Sequence, residues 1–204
     1  MALDARLLRG AAGSTSKCSV MARPKSEEKR ALLLDAAASV VAKRGDSAPT
    51  ALIAKTAGVA EGSLFTYFGN KEELLTELYS ALIAEAFAAV PSDLGTRRDR
   101  REKLLYVWTS VLRWGTSNPE KWTAMRVLRL SNQVDERRKR KSQTEGRQAL
   151  AQLLGIPDTP PGFHTRVLSA FIDLTIELMR ERPKLAEQYS TAGFEAFWRA
   201  AARE

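Results

Sequence analysis

The chain has 204 residues, which is enough for one medium domain or for a small module joined to a larger one. Its single cysteine, Cys18, and single histidine, His164, exclude an internal disulfide framework, disfavour zinc or Ser-His-Asp chemistry, and fit a reducing, cytoplasmic compartment. The formal net charge of +8 favours an anionic partner, nucleic acid before a membrane surface, and no apolar run is long enough to span a bilayer.

Residues 1–22 are expected to form a disordered extension, and in one interpretation Met21 is the true start. Beyond them apolar residues recur at three- and four-residue spacing, which predicts an all-α protein of about nine helices. The predicted helices cover about 26–44, 50–57, 62–68, 71–87, 97–116, a segment beginning at 119, 133–154, 164–182 and 184–203.

The most informative stretch is TALIAKTAGVAEGSLFTYF, residues 50–68. A short helix, a glycine at Gly58, a short turn and a second short helix are typical of a helix-turn-helix, whose second helix can enter the major groove. A purely structural helical hairpin is the alternative. Gly62 and Ser63 are small enough to bring the backbone close to base edges. The positions expected to pack inward are Ile53, Ala54, Ala57, Val59, Leu64 and Phe68.

Together with the following NKEELL, this motif resembles the signature of the TetR family of bacterial transcriptional regulators, over about residues 30–75. The resemblance implies a helix-turn-helix DNA-binding domain at 23–70 and a ligand-binding and dimerisation domain at 71–204. Two departures, Ala51 and Phe65, remove hydrogen-bonding capacity that relatives have there. The implied DNA contacts are base edges for Glu61, Gly62 and Ser63, with Phe65 nearby, and phosphates for Thr50, Thr66, Tyr67 and Lys71.

The start of the fourth helix is a second pointer to an anionic partner. Asn70 is expected to cap it, with Glu73 three residues on as in a capping box. Lys71 would then lie in the first turn, where free backbone N–H groups and the positive end of the helix dipole already favour a phosphate.

The helix predicted at 164–182 is apolar over well more than half its circumference, which exceeds what one core-facing side requires. We expect it and the last helix to pair with their copies in a four-helix dimer interface, as the TetR resemblance also implies. The expected interface residues are Phe171, Leu174, Leu178, Leu185, Tyr189, Ala192 and Ala196.

Aromatic residues of the middle helices could line a cavity for an apolar effector, although they are equally good core residues. The candidate ligand-binding residues are Phe87, Trp108, Trp114, Trp122, Met125 and Phe171.

Two charged patterns can each be interpreted either as a solvated helix face or as a binding site. Residues 137–141, RRKRK, here called the basic run, favour a solvated helix face, with a second nucleic-acid patch as the alternative. Asp173 and Glu177 lie one turn apart and share a stripe with Arg166 and Arg180, which favours a solvated face over a site for a cationic ligand.

These features predict a TetR-type repressor that is a homodimer, binds a near-palindromic operator, and is released by a small hydrophobic or aromatic effector. The sequence predicts no enzyme activity, no cofactor, no metal site and no membrane partner. The alternatives are a small helical enzyme or carrier that uses the pocket, and a non-specific DNA-packaging protein suggested by the basic charge.

Overall fold

The computed structural model describes residues 25–90, 99–154 and 160–201; the expected extension, including Cys18 and Met21, lies outside them. All regular structure within those ranges is helical, which confirms the predicted fold class. The helices are α1 Lys25–Arg44, α2 Thr50–Thr56, α3 Glu61–Tyr67, α4 Lys71–Ala88, α5 Arg100–Ser117, α6 Pro119–Leu130, α7 Glu136–Leu154, α8 Phe163–Glu181 and α9 Ala186–Ala201, with a 3₁₀ turn at Pro183–Leu185. Of the helices described, none has the length and apolar character needed to cross a membrane.

Side-chain caps fix where two helices begin. The Oδ1 atom of Asn70 accepts a hydrogen bond from the backbone N–H of Glu73 at 2.8 Å, as predicted. The reciprocal bond of a capping box differs, because the Glu73 carboxylate accepts from the backbone N–H of Gly69 and not from that of Asn70. Asp99 caps α5 by accepting the Glu102 N–H at 2.7 Å, so this helix starts three residues later than periodicity suggested.

The junction between α5 and α6 differs from the expectation in one respect. Asn118 occupies the N-cap position of α6, but its side chain makes no capping bond there. Its Nδ2 atom instead donates to the carbonyl of Trp114 at 2.9 Å, which is a second hydrogen bond to that carbonyl beside the one from the Asn118 backbone N–H. Pro119, which has no N–H, reduces the need for a cap on α6.

The first apolar core belongs to the three-helix head, α1–α3, and to the elements that pack on it. Leu33, Ile53, Leu64 and Phe68 are fully buried together with Leu74 of α4. The same core takes in residues from α6 and from the segment after it, Ala124, Leu128 and Val134. The head is therefore packed against the end of α6 and not merely tethered through α4.

A second core lies among α5, α6, α8 and α9. Trp108 is fully buried, with Phe197 stacked at 6.5 Å between ring centroids and Phe194 edge-on at 6.1 Å. A Cβ at Gly193 would lie 2.4 Å from the Thr175 hydroxyl oxygen and 2.9 Å from Cζ2 of Trp108. The missing side chain is what lets α9 approach α8 and α5 so closely.

Candidate DNA-binding surface and sensor groove

Helix α3 is held by its buried residues and presents most of its other residues to solvent. Leu64 within it and Phe68 just after it are fully buried, and the guanidinium of Arg30 lies 5.1 Å from the Phe68 ring centroid. The exposed residues are Glu61, Gly62, Ser63, Phe65 and Thr66, with Tyr67 half-buried. Phe65 is 44% exposed, so its ring is accessible to a binding partner.

The turn before α3 has the geometry that a helix-turn-helix needs. Gly58 has φ of +72°, a left-handed conformation that residues with a side chain rarely adopt. The Val59 N–H returns to the Ala54 carbonyl at 3.0 Å and closes the turn.

One contact across this surface was not foreseen from the sequence. The Thr50 hydroxyl donates to Oε1 of Glu61 at 2.6 Å, which joins the first residue of α2 to the first residue of α3. Two residues with separate expected roles, phosphate and base contact, are thereby coupled. No local pattern signals this bond, because the partners are eleven residues apart on different helices.

Lys71 is the first residue of α4 and is half-buried. Thr50 is likewise the first residue of α2. The expected phosphate contacts thus include the starts of two helices, where backbone N–H groups are free of intrahelical partners.

The candidate ligand-binding residues fall into different environments. Trp108 is completely buried and donates through Nε1 to the Ser190 carbonyl at 3.1 Å, whereas Phe87 is 55% exposed. Trp114 and Trp122 meet edge-on at 6.1 Å, and Met125 packs against both cores. Most of these candidates therefore pack in the second apolar core, whereas Phe87 lies largely exposed outside it.

A groove of about 410 Å³ opens between α6 and α8. Among the candidate ligand residues, Trp122 lies in its wall, and its buried Nε1 has no hydrogen-bond partner within the described residues. The full lining is Trp122, Arg126, Ile176, Glu177, Arg180 and Glu181. Four of these six residues are charged, whereas a cavity lined by aromatic residues was expected.

The predicted solvated stripe on α8 is wrong for Asp173. The Asp173 carboxylate is buried and forms an ion pair with Arg129 through one of its oxygens. Nε of Arg126 lies 3.6 Å from the other oxygen. Glu177, one turn on, is exposed as expected. Both arginines come from α6, so the partners could not be inferred from the periodicity of α8 alone.

The candidate dimer residues lie on α8, α9 and the turn between them. Leu174 is 56% exposed, and Ala192 and Ala196 are exposed as well. Leu178, Leu185 and Tyr189 are half-buried. Phe171 is also half-buried and packs edge-on against Phe197 at 6.1 Å, so it serves the core of one chain whatever else it contacts.

Residues 33–78 match the family model described as bacterial regulatory proteins of the tetR family. A fatty acid metabolism regulator protein from Bacillus subtilis is 34% identical over 76 residues, covering 37% of this chain and 39% of that protein. The matched segment therefore spans about two fifths of this curated relative.

Solved structures extend the likeness to the whole fold. A TetR-family regulator from Shewanella sp. PV-4 superposes with a TM-score of 0.77 at 24% identity, over 86% of this chain and 99% of that one. The transcriptional regulator FadR from Bacillus subtilis in complex with stearoyl-CoA gives 0.67 at 19% identity, over 85% and 99%. Residues 33–78 are therefore similar to the DNA-binding segment of TetR-family regulators, and the chain shares the fold of solved TetR-family structures over most of its length.

Proposed function

We propose that the protein is a ligand-responsive repressor that binds a near-palindromic operator as a homodimer in the cytoplasm. The observation that carries this proposal is the exposed side of α3, where Gly62, Ser63 and Phe65 face solvent above a fully buried Leu64. Two such helices about 34–36 Å apart would enter successive major grooves on one side of a duplex.

The chemistry of that surface suggests how bases are distinguished. A carboxylate such as that of Glu61 accepts from the amino group of cytosine, and an apolar ring such as Phe65 favours the methyl group of thymine. The Thr50 hydroxyl, which donates to Glu61, holds that carboxylate in place. Thr66, Tyr67 and Lys71 then fix the register through phosphates.

Dimerisation through α8 and α9 is supported by the exposed Leu174 and the small Ala192 and Ala196. Such residues allow two helix pairs to pack closely into a four-helix interface.

For the effector we propose a small molecule with an apolar part, bound at the groove beside Trp122 and Ile176. The solved FadR of Bacillus subtilis holds stearoyl-CoA, which is one ligand of this kind on the same fold. Binding would favour a dimer whose α3 helices have the wrong spacing, for which a few kcal/mol of differential affinity suffice. A screen for compounds that release a bound duplex tests this part.

The DNA-binding surface is tested by titrating an operator, selected from a random duplex pool, over a range of salt concentrations. Lys71→Ala should weaken binding to every duplex and lower the salt slope by about 0.9 for each phosphate interaction that the substitution removes. Ser63→Ala should instead weaken the selected operator by about 1 kcal/mol per half-site and leave random DNA nearly unchanged. Parent-like binding by both variants would refute the assignment of this surface.

A further inference from the structure

The basic run at the start of α7 is not used by the function proposed above. Arg137, Arg138, Arg140 and Lys141 are exposed, and no ion pair to any of them is found within the described residues. Lys139 differs: it is buried and donates to the Ser131 carbonyl and to Glu136. The expectation of a solvated face is thus wrong for Lys139, whereas the other four side chains of the run are exposed cations.

Lys139 fixes how the run is oriented. With 3.6 residues per turn, Arg137 and Lys141 lie about 160° around α7 from Lys139. Because Lys139 points into the protein, these two side chains point away from it, and Arg138 and Arg140 lie on the flanks.

Two hydrogen bonds anchor the start of α7 to the head end of the molecule. The Ser131 hydroxyl donates to Asp46 at 2.6 Å, and the Asp135 N–H donates to the Thr76 hydroxyl oxygen at 2.9 Å. Val134 between them is buried in the core of the head. The basic run, which begins two residues after Asp135, therefore starts directly beside the head.

Both anchors lie close to proposed phosphate contacts. Asp46 is four residues before Thr50, and Thr76 is five residues after Lys71, which is about 7.5 Å along a helix axis. Charges within about 10 Å of a phosphate are not fully screened at 0.1 M salt.

We propose that the basic run is a second DNA-binding surface that contacts the phosphate backbone of the operator beside the helix-turn-helix. It recognises charge and not sequence, so it raises affinity for all duplexes and steepens the salt dependence of binding. This inference rests on the proposed DNA-binding function.

The test compares two variants from which the same charge is removed. The first replaces Arg137, Arg138, Arg140 and Lys141 by Gln; the control replaces Arg113, Arg166, Arg182 and Lys184, which are exposed on α5, α8 and the turn before α9. Circular dichroism and gel filtration establish that both variants keep the fold and the oligomeric state. Binding to the selected operator and to a random duplex is then measured between about 50 and 200 mM salt, a range over which phosphate contacts dominate the change in affinity, with slopes of about 0.9 per contact.

If the substitutions remove one or more phosphate interactions from each protomer, the slope of the first variant falls by about 2 or more per dimer. Its affinity for both duplexes then drops about tenfold, while the control stays within about threefold of the parent. Equal slopes for the two variants would overturn the inference, provided that the parent and Lys71→Ala differ as described above. A parent that binds no duplex would overturn the proposed function as well. Binding of anionic vesicles that depends on the run, without an effect on duplex binding, would also overturn it in favour of a membrane surface.

Discussion

Replacing Trp108 by alanine is expected to lower the free energy of unfolding by about 3–5 kcal/mol, the usual cost of removing a large buried aromatic side chain. The ring is fully buried between α5 and α9, against Phe194 and Phe197. Its Nε1 hydrogen bond to the Ser190 carbonyl would also be lost.

Phe87→Ala is the matched control, because both residues are aromatic candidates for effector binding but Phe87 is 55% exposed. Its removal should cost less than about 1 kcal/mol. Urea unfolding followed by circular dichroism measures both, at one fixed protein concentration because dimerisation couples stability to concentration. Equal destabilisation by the two substitutions would contradict the assignment of Trp108 to the core.

Asp173→Asn is expected to destabilise the protein by about 2–4 kcal/mol, somewhat below the cost of breaking a fully buried ion pair. The carboxylate joins α8 to Arg126 and Arg129 of α6, whose side chains are 44% and 30% exposed and so keep part of their hydration. Because α6 also packs against α1, the effect should reach the head.

Glu177→Gln provides the comparison, since it removes the same charge one turn along α8 from an exposed position. It should change the free energy of unfolding by no more than about 0.5 kcal/mol. A double-mutant cycle of Asp173→Asn with Arg129→Met should give a coupling energy of about 1 kcal/mol or more. A coupling near zero would mean that this ion pair does not join the two helices energetically.

Local signals in the sequence are sufficient to predict the helices of the head. The bounds of α1, α2 and α3 were predicted to within one residue, because apolar spacing, Gly45, Gly58 and the turn residues all act over short distances. Asn70 was recognised as a cap for the same reason. The prediction that Phe65 and its neighbours lie at the DNA depends instead on the resemblance to the TetR family.

Features that depend on packing between distant helices were not accessible in this way. Periodicity places Asp173 and Glu177 on one face of α8. The arginines that pair with Asp173 belong to α6, about 44 residues earlier in the chain, so periodicity within α8 does not reveal them. Periodicity also does not distinguish the buried Trp108 from the exposed Phe87, because the spacing of apolar residues identifies the apolar face of a helix and not how deeply each side chain is buried. Lys139 is buried for a similar reason, since its acceptor lies in the loop before α7.

The central claim, that the start of α3 lies against base edges, has a direct test at Gly62. A Cβ at this position meets nothing within 4 Å, so Gly62→Ala and Gly62→Leu should leave the free energy of unfolding unchanged or raise it by up to about 1 kcal/mol. Binding of the selected operator should nevertheless weaken about tenfold for Ala and still more for Leu, because the added atoms occupy the space that a base edge needs. Operator affinities equal to that of the parent in both variants would contradict the account.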